Sequence, residues 1–186
     1  MFRDTFETRF TYLNGFLRNV SRFGTRPALH DPLSGRRWTY RELNAEANRL
    51  AHALRADGVG KNDVVMFALL NSPEFVFCYL AAHKIGAIAC PVNYRQGAGE
   101  IALVIDDSRP KAFFYDAEFG ALSGGALDLC EHKPQTVVMV DYKGGAQAPA
   151  GHRLYQDYVS AQPEIDPPID FDPHIYDETT RLYTSG

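Results

Sequence analysis

No stretch of this chain stays apolar for the roughly 20 residues that a membrane-spanning helix requires. The longest apolar runs are Val64–Leu70 and Phe75–Ala82. Cysteine is scarce: Cys78, Cys90 and Cys130 are scattered, with no Cys-x-x-Cys pair. That excludes a disulfide scaffold and fits a reducing compartment in which the thiols pack in a core. A basic excess is also missing. Nineteen Lys and Arg stand against 23 Asp and Glu, for a net charge of −4, so nucleic acid and anionic membrane are not expected partners. The opening Met1-Phe2-Arg3-Asp4 has no apolar signal core, and a cytoplasmic location is the expectation. The six histidines, at 30, 52, 83, 132, 152 and 174, lack metal-ligand spacing and read as surface or internally satisfied groups.

What is present is organised around Val64–Val92. Val64–Leu70 has strand length and no polar residue, the pattern of a strand covered on both faces. Asn71-Ser72-Pro73-Glu74 is a helix start, with Ser72 as N-cap and Pro73 at the first helical position. Phe75, Tyr79, Ala82 and Ile85 recur at helical spacing, and Gly86 supplies a left-handed stop. Ala87–Val92 is the second buried strand, so the unit reads as βαβ with parallel strands.

The flanking sequence extends this unit. Phe6, Phe10, Leu13, Leu17 and Val20 predict one amphipathic helix, ended by Gly24 and Pro27. Ala28–His30 and Arg36–Trp38 flank turn residues and predict a hairpin. Thr39-Tyr40-Arg41-Glu42 has the form of a capping box, opening a helix with Leu43, Ala47, Leu50, Ala51 and Leu54 on one face. A short helix is expected around Glu100–Asp106, strands at Ala112–Tyr115 and Thr136–Val140, and a glycine-interrupted helix over 117–132 between them. Leu154–Ala161 predicts another short helix. Residues 142–179 otherwise form an acidic, proline- and glycine-rich connector. The fold class expected is α/β, a parallel-rich sheet flanked by helices.

Three local motifs bear on chemistry. Gly97-Ala98-Gly99-Glu100-Ile101-Ala102 fits G-x-G-x-x-G/A, and Asp116 follows at a strand end, so a nicotinamide dinucleotide-binding domain is one alternative. Against it, Asn93–Gln96 separate the glycines from the preceding strand. Gly58-Val59-Gly60-Lys61 follows a helix, not a strand, and lacks the Ser or Thr of a phosphate loop. Asp106-Asp107 reads as a solvated helix end, since adjacent helical residues point apart. Finally, Thr184-Ser185-Gly186 combines two hydroxyls with an unobstructed glycine, the materials of a phosphate cradle.

Taken together, these stretches resemble the N-terminal part of the adenylate-forming superfamily, which includes acyl- and aryl-CoA synthetases, luciferases and peptide-synthetase adenylation domains. Trp38-Thr39-Tyr40-Arg41-Glu42-Leu43, Lys84–Asn93 and Leu182-Tyr183-Thr184-Ser185-Gly186 carry the match in the family's order, aided by Asn71–Phe75 and Asp107-Ser108-x-Pro-Lys. The resemblance implies that residues 1–186 are an incomplete N-terminal lobe of the adenylation domain, with the 142–179 connector inside it. It implies activation of a carboxylate by ATP to an acyl-adenylate, then thioester formation on coenzyme A, with Mg2+ neutralising the triphosphate. Thr184, Ser185 and Gly186 would bind nucleotide, and no catalytic or metal-binding residue falls within the chain. The rest of the loop, its lysine and the C-terminal domain are missing partners, so the chain alone is expected to be an inactive piece of the enzyme. Asn93, where peptide-synthetase domains have aspartate, favours an acyl-CoA ligase, with a fatty acid as the commonest substrate. A non-catalytic interaction module using the Phe6–Val20 stripe is the remaining alternative.

Overall fold

A computed structural model describes residues 2–184. The chain enters through α1 (Phe2–Arg9) and α2 (Tyr12–Phe23), then forms the antiparallel hairpin β1 (Pro27–His30) and β2 (Arg37–Thr39). From there, helices and strands alternate: α3 (Tyr40–Ala56), β3 (Val64–Ala68), α4 (Pro73–Lys84), β4 (Ile88–Pro91), α5 (Ala98–Ser108) and β5 (Ala112–Asp116). A 3-10 turn at Ala117–Phe119 leads into α6 (Gly120–Leu129), followed by β6 (Thr136–Val140), β7 (Arg153–Leu154) and α7 (Tyr155–Ser160). β4-β3-β5-β6-β7 form one sheet in that order, every pairing parallel.

The two faces of this sheet follow from side-chain alternation along buried strands. Val65 and Phe67 of β3, Ala112 and Phe114 of β5, and Val138 and Val140 of β6 join one cluster with α3, α4 and α7. Met66, Ala68, Phe113, Tyr115 and Met139 join the other, with α5 and α6. All five residues of β3 and of β5 are buried, as a sheet covered on both faces requires. A buried Phe or Met contributes about 1.5–3 kcal/mol, so these central strands anchor everything attached to them.

Local chemistry sets the element ends. Thr39 and Glu42 form the expected capping box: the Thr39 hydroxyl accepts from Glu42 N–H, and the Glu42 carboxylate accepts from Thr39 N–H at 2.7 Å. Gly86 adopts φ +70° directly after α4. The single helix expected over Phe6–Val20 is instead two. Thr11 takes extended backbone and its hydroxyl accepts from Asn14 N–H, capping a fresh helix. The stripe is thereby split, with Leu13 buried and Phe2, Phe6 and Phe10 stacked on one another and exposed. All three cysteines are free and buried.

Candidate functional site

A parallel sheet offers ligands its carboxyl edge, where chain direction reverses across the strand order. Here the reversal falls at β3. From β3 the chain moves one way to β4, then crosses back to β5 and continues outward through β6 and β7. The helix after β3 packs with α3, whereas those after β4 and β5 pack together on the other face.

Two buried carboxylates mark that edge. Asp116 ends β5 at 2 % exposure; Oδ1 accepts Glu118 N–H at 2.9 Å and Oδ2 has no partner. Glu74, in the first turn of α4, is also buried, with Oε2 unpartnered. Burial pushes both pKa values up, and the Asp116 charge raises that of Glu74 a little further. Buried acids displaced this way mark candidate functional positions. Near them, Asp31 accepts hydrogen bonds from Ser34 and Tyr142, which hold its carboxyl down at about 2. A cleft of about 230 Å³ between the hairpin and the start of α4 is lined by His30, Asp31, Asn71 and Ser72.

The chain returns to this sheet through residues 163–183, a strap that crosses α3 and α4. Its acids meet bases on those helices: Glu164 with Arg49, Asp166 with Lys84 at 2.8 Å, Asp170 with Arg55 at 2.9 Å. Asn44 Nδ2 also donates to Asp166 at 3.0 Å, and Asn48 to the Glu164 carbonyl at 2.6 Å. Burial tends to raise the Asp166 pKa, but the bonds from Lys84 and Asn44 outweigh it and hold the carboxylate ionised. Phe171 then covers Gly86. At the free side of β4, Ala89 N–H donates to the Thr179 carbonyl at 3.0 Å, and Arg181 N–H to the Ala89 carbonyl at 2.9 Å. Ala89 and Thr180 thus form a parallel bridge, so the strap runs alongside β4 toward the carboxyl edge. His83 faces the same Thr179 carbonyl through Nε2 at 3.0 Å.

Of the nucleotide-loop residues expected from the sequence, Thr184 is exposed at the end of this strap; Ser185 and Gly186 lie outside the described residues. The glycine fingerprint fares differently. Gly97 N–H is taken by the Glu100 carboxylate at 2.7 Å, which places negative charge where a pyrophosphate would sit. Strand β3 also separates β4 from β5, so Asp116 is two strands, about 10 Å, away from the strand preceding the fingerprint. The geometry therefore speaks against a dinucleotide site. No group of three or more His, Cys, Asp and Glu among the described residues converges as a metal site.

Sequence reasoning missed β7, only two residues long, and the strap's anchors. The acidic run was visible, but its basic partners Arg49, Arg55 and Lys84 lie 82 to 115 residues away in the chain.

An α/β lobe with a parallel sheet, a strand reversal and a final segment laid along one edge is a ligand-binding architecture of the doubly wound class. The family model described as AMP-binding enzyme matches residues 16–186, and the chain belongs to that family. The 3-hydroxybenzoate–CoA/4-hydroxybenzoate–CoA ligase of Thauera aromatica is 44% identical over 112 residues, covering 60% of this chain and 20% of the relative. A long-chain-fatty-acid–CoA ligase, FadD13, of Mycobacterium tuberculosis H37Rv is 40% identical over 87 residues, 47% of this chain and 17% of the relative. Among solved structures, the anthranilate CoA ligase AuaEII in complex with anthranoyl-AMP superposes with a TM-score of 0.85. At 24% identity, over 96% of this chain and 33% of that one, it bears on fold alone. A Mycobacterium tuberculosis fatty acyl CoA synthetase gives a TM-score of 0.73 at 25% identity, over 91% of this chain and 32% of that one. The chain spans about a fifth of the curated relatives' length and about a third of these solved chains.

Proposed function

We propose that the whole protein containing this chain activates a carboxylic acid with ATP, releasing pyrophosphate and forming an acyl-adenylate. The acyl group then passes to the thiol of coenzyme A. The family match over residues 16–186 carries this reading. Residues 1–186 supply the first part of the adenylation domain, with 142–179 as a segment within it, and are inactive without the remainder. Thr184, Ser185 and Gly186 are the nucleotide-binding residues in this reading, and Mg2+ accompanies the ATP. The cytoplasm is the proposed location; no helix among the described residues is long and apolar enough to cross a membrane.

A fatty acid is one substrate class. The hydroxybenzoate ligase, at 44% identity, favours an aromatic acid as the second. The test is ATP–pyrophosphate exchange by the whole protein, offered fatty and hydroxybenzoic acids in parallel. Exchange dependent on one class is expected, with Thr184→Ala raising the KM for ATP. Absence of exchange with every acid, together with no ATP binding, would refute the reading.

A further inference from the structure

Helix α5 ends on the wrong charges. Asp106 and Asp107 occupy its last turn, which contains no basic residue, where the free carbonyls of the helix already repel a carboxylate. Asp106 is accounted for, since it accepts His132 N–H at 2.8 Å. Asp107 is exposed, and its Oδ2 accepts from the hydroxyl of Tyr183, 76 residues further along the chain.

Tyr183 is well placed to use that bond. Its ring packs against the core cluster that includes Cys90, Val92 and Val104. Burial, followed by the Asp107 contact, pushes its phenol up to about 12, so it stays a donor across the physiological range. Two residues earlier, Arg181 is held by its backbone bond to Ala89. Thr184 follows Tyr183 directly and is exposed. The Tyr183–Asp107 bond is thus a hold on the strap immediately before Thr184.

We propose that Asp107 is a positioning residue for the nucleotide loop, fixing through the Tyr183 hydroxyl the direction in which Thr184 leaves the sheet edge. The inference rests on the reading of Thr184, Ser185 and Gly186 as nucleotide-binding. Without the bond, the chain beyond Arg181 keeps only the packing of the Tyr183 ring, which does not fix the direction of Thr184, and the entropy of ordering it falls on nucleotide binding. The effect belongs in the KM for ATP.

The experiment compares Tyr183→Phe, Asp107→Ala and the double variant in the whole protein by ATP–pyrophosphate exchange, alongside the rate of trypsin cleavage after Arg181. Each single variant is expected to raise the KM for ATP about three- to tenfold, the range of one hydrogen bond, with kcat changed less than about twofold. Cleavage after Arg181 should accelerate, and the double variant should be no worse than either single. Asp107→Asn keeps an acceptor oxygen and should recover most of the loss, which a role in helix stability alone would not produce. An unchanged KM in an active enzyme, or single effects that multiply in the double variant, would overturn the positioning role and leave the ligase reading standing. Wild-type protein without any exchange would instead remove the ligase reading, and the role with it.

Discussion

Replacing Gly86 with alanine tests the strap at its most constrained contact. Gly86 sits at φ +70°, a region where an L-residue costs roughly 1–2 kcal/mol. Its added Cβ would meet three atoms of the Phe171 ring at 3.0, 3.1 and 3.2 Å. Overpacking of that kind costs about 1–3 kcal/mol, so the total expected is about 2–5 kcal/mol. For a chain of this size that corresponds to a loss of roughly 4–20 °C in Tm. Gly58→Ala is the control. Gly58 has φ +78°, but its nearest contact is Lys111 Nζ at 3.9 Å, so only the backbone cost of about 1–2 kcal/mol applies. The chain's one tryptophan, Trp38, is 4 % exposed in the core cluster beneath α3 and α4, and its fluorescence reports urea unfolding of both variants. Phe171→Ala should cost less in the Gly86→Ala background than in the wild type, the coupling matching the difference between the two glycine sites. Equal losses at Gly58 and Gly86 would refute the claim that the ring of Phe171 is seated on Gly86.

Two titrations follow from the buried groups. Burial raises the Glu74 pKa above its ordinary 4.5, so the carboxylate destabilises the fold at neutral pH and the penalty fades as pH falls through the raised value. Glu74→Gln should therefore stabilise by about 1–2 kcal/mol at pH 7.5, with the gain shrinking toward pH 4.5; a gain independent of pH in thermal melts would contradict this. His83 has the opposite sign. Its folded pKa is lowered from 6.5 by burial, only partly offset by the Thr179 carbonyl, so its contribution is present above 6.5 and lost as pH falls through the lowered value. His83→Gln should flatten the Tm profile between about pH 7 and 5, and an unaltered slope would exclude His83 as its source.

The central sheet was legible because its signals are local. Val64–Leu70 has no polar residue, Thr39 and Glu42 are three apart, and Pro73 and Gly86 bracket one helix, so strand, cap and stop could each be read within a few residues. The division of the N-terminal helix was not legible, because the apolar stripe runs on from Phe10 to Leu13 across Thr11, and only the bond from Asn14 N–H to the Thr11 hydroxyl reveals the break. The strap was legible as composition and not as structure. Proline and acid content describe a solvated connector, whereas its position is set by Arg49, Arg55 and Lys84 on helices more than 80 residues earlier. Thr184 was named from its motif, yet its bearing depends on Asp107, whose partner Tyr183 no local pattern joins to it.

Charge and contact divide the work of holding the strap, and their magnitudes differ. The Arg49–Glu164, Arg55–Asp170 and Lys61–Asp177 pairs keep their side chains between 27 and 62 % exposed. Exposed pairs of this kind are worth about 0–1 kcal/mol each and weaken in salt. Lys84 differs, since its side chain is 3 % exposed while that of Asp166 is 58 % exposed. Its ammonium has already left water, so losing Asp166 would strand a buried charge at a cost of about 3 kcal/mol or more. Phe171 on Gly86 and the backbone bonds to Ala89 owe nothing to charge. The acidic residues therefore select where the strap lands, and the buried lysine, the aromatic ring and the edge pairing with β4 keep it there. A strap held in this way presents Thr184 from a fixed edge of the sheet at any ionic strength a cell provides.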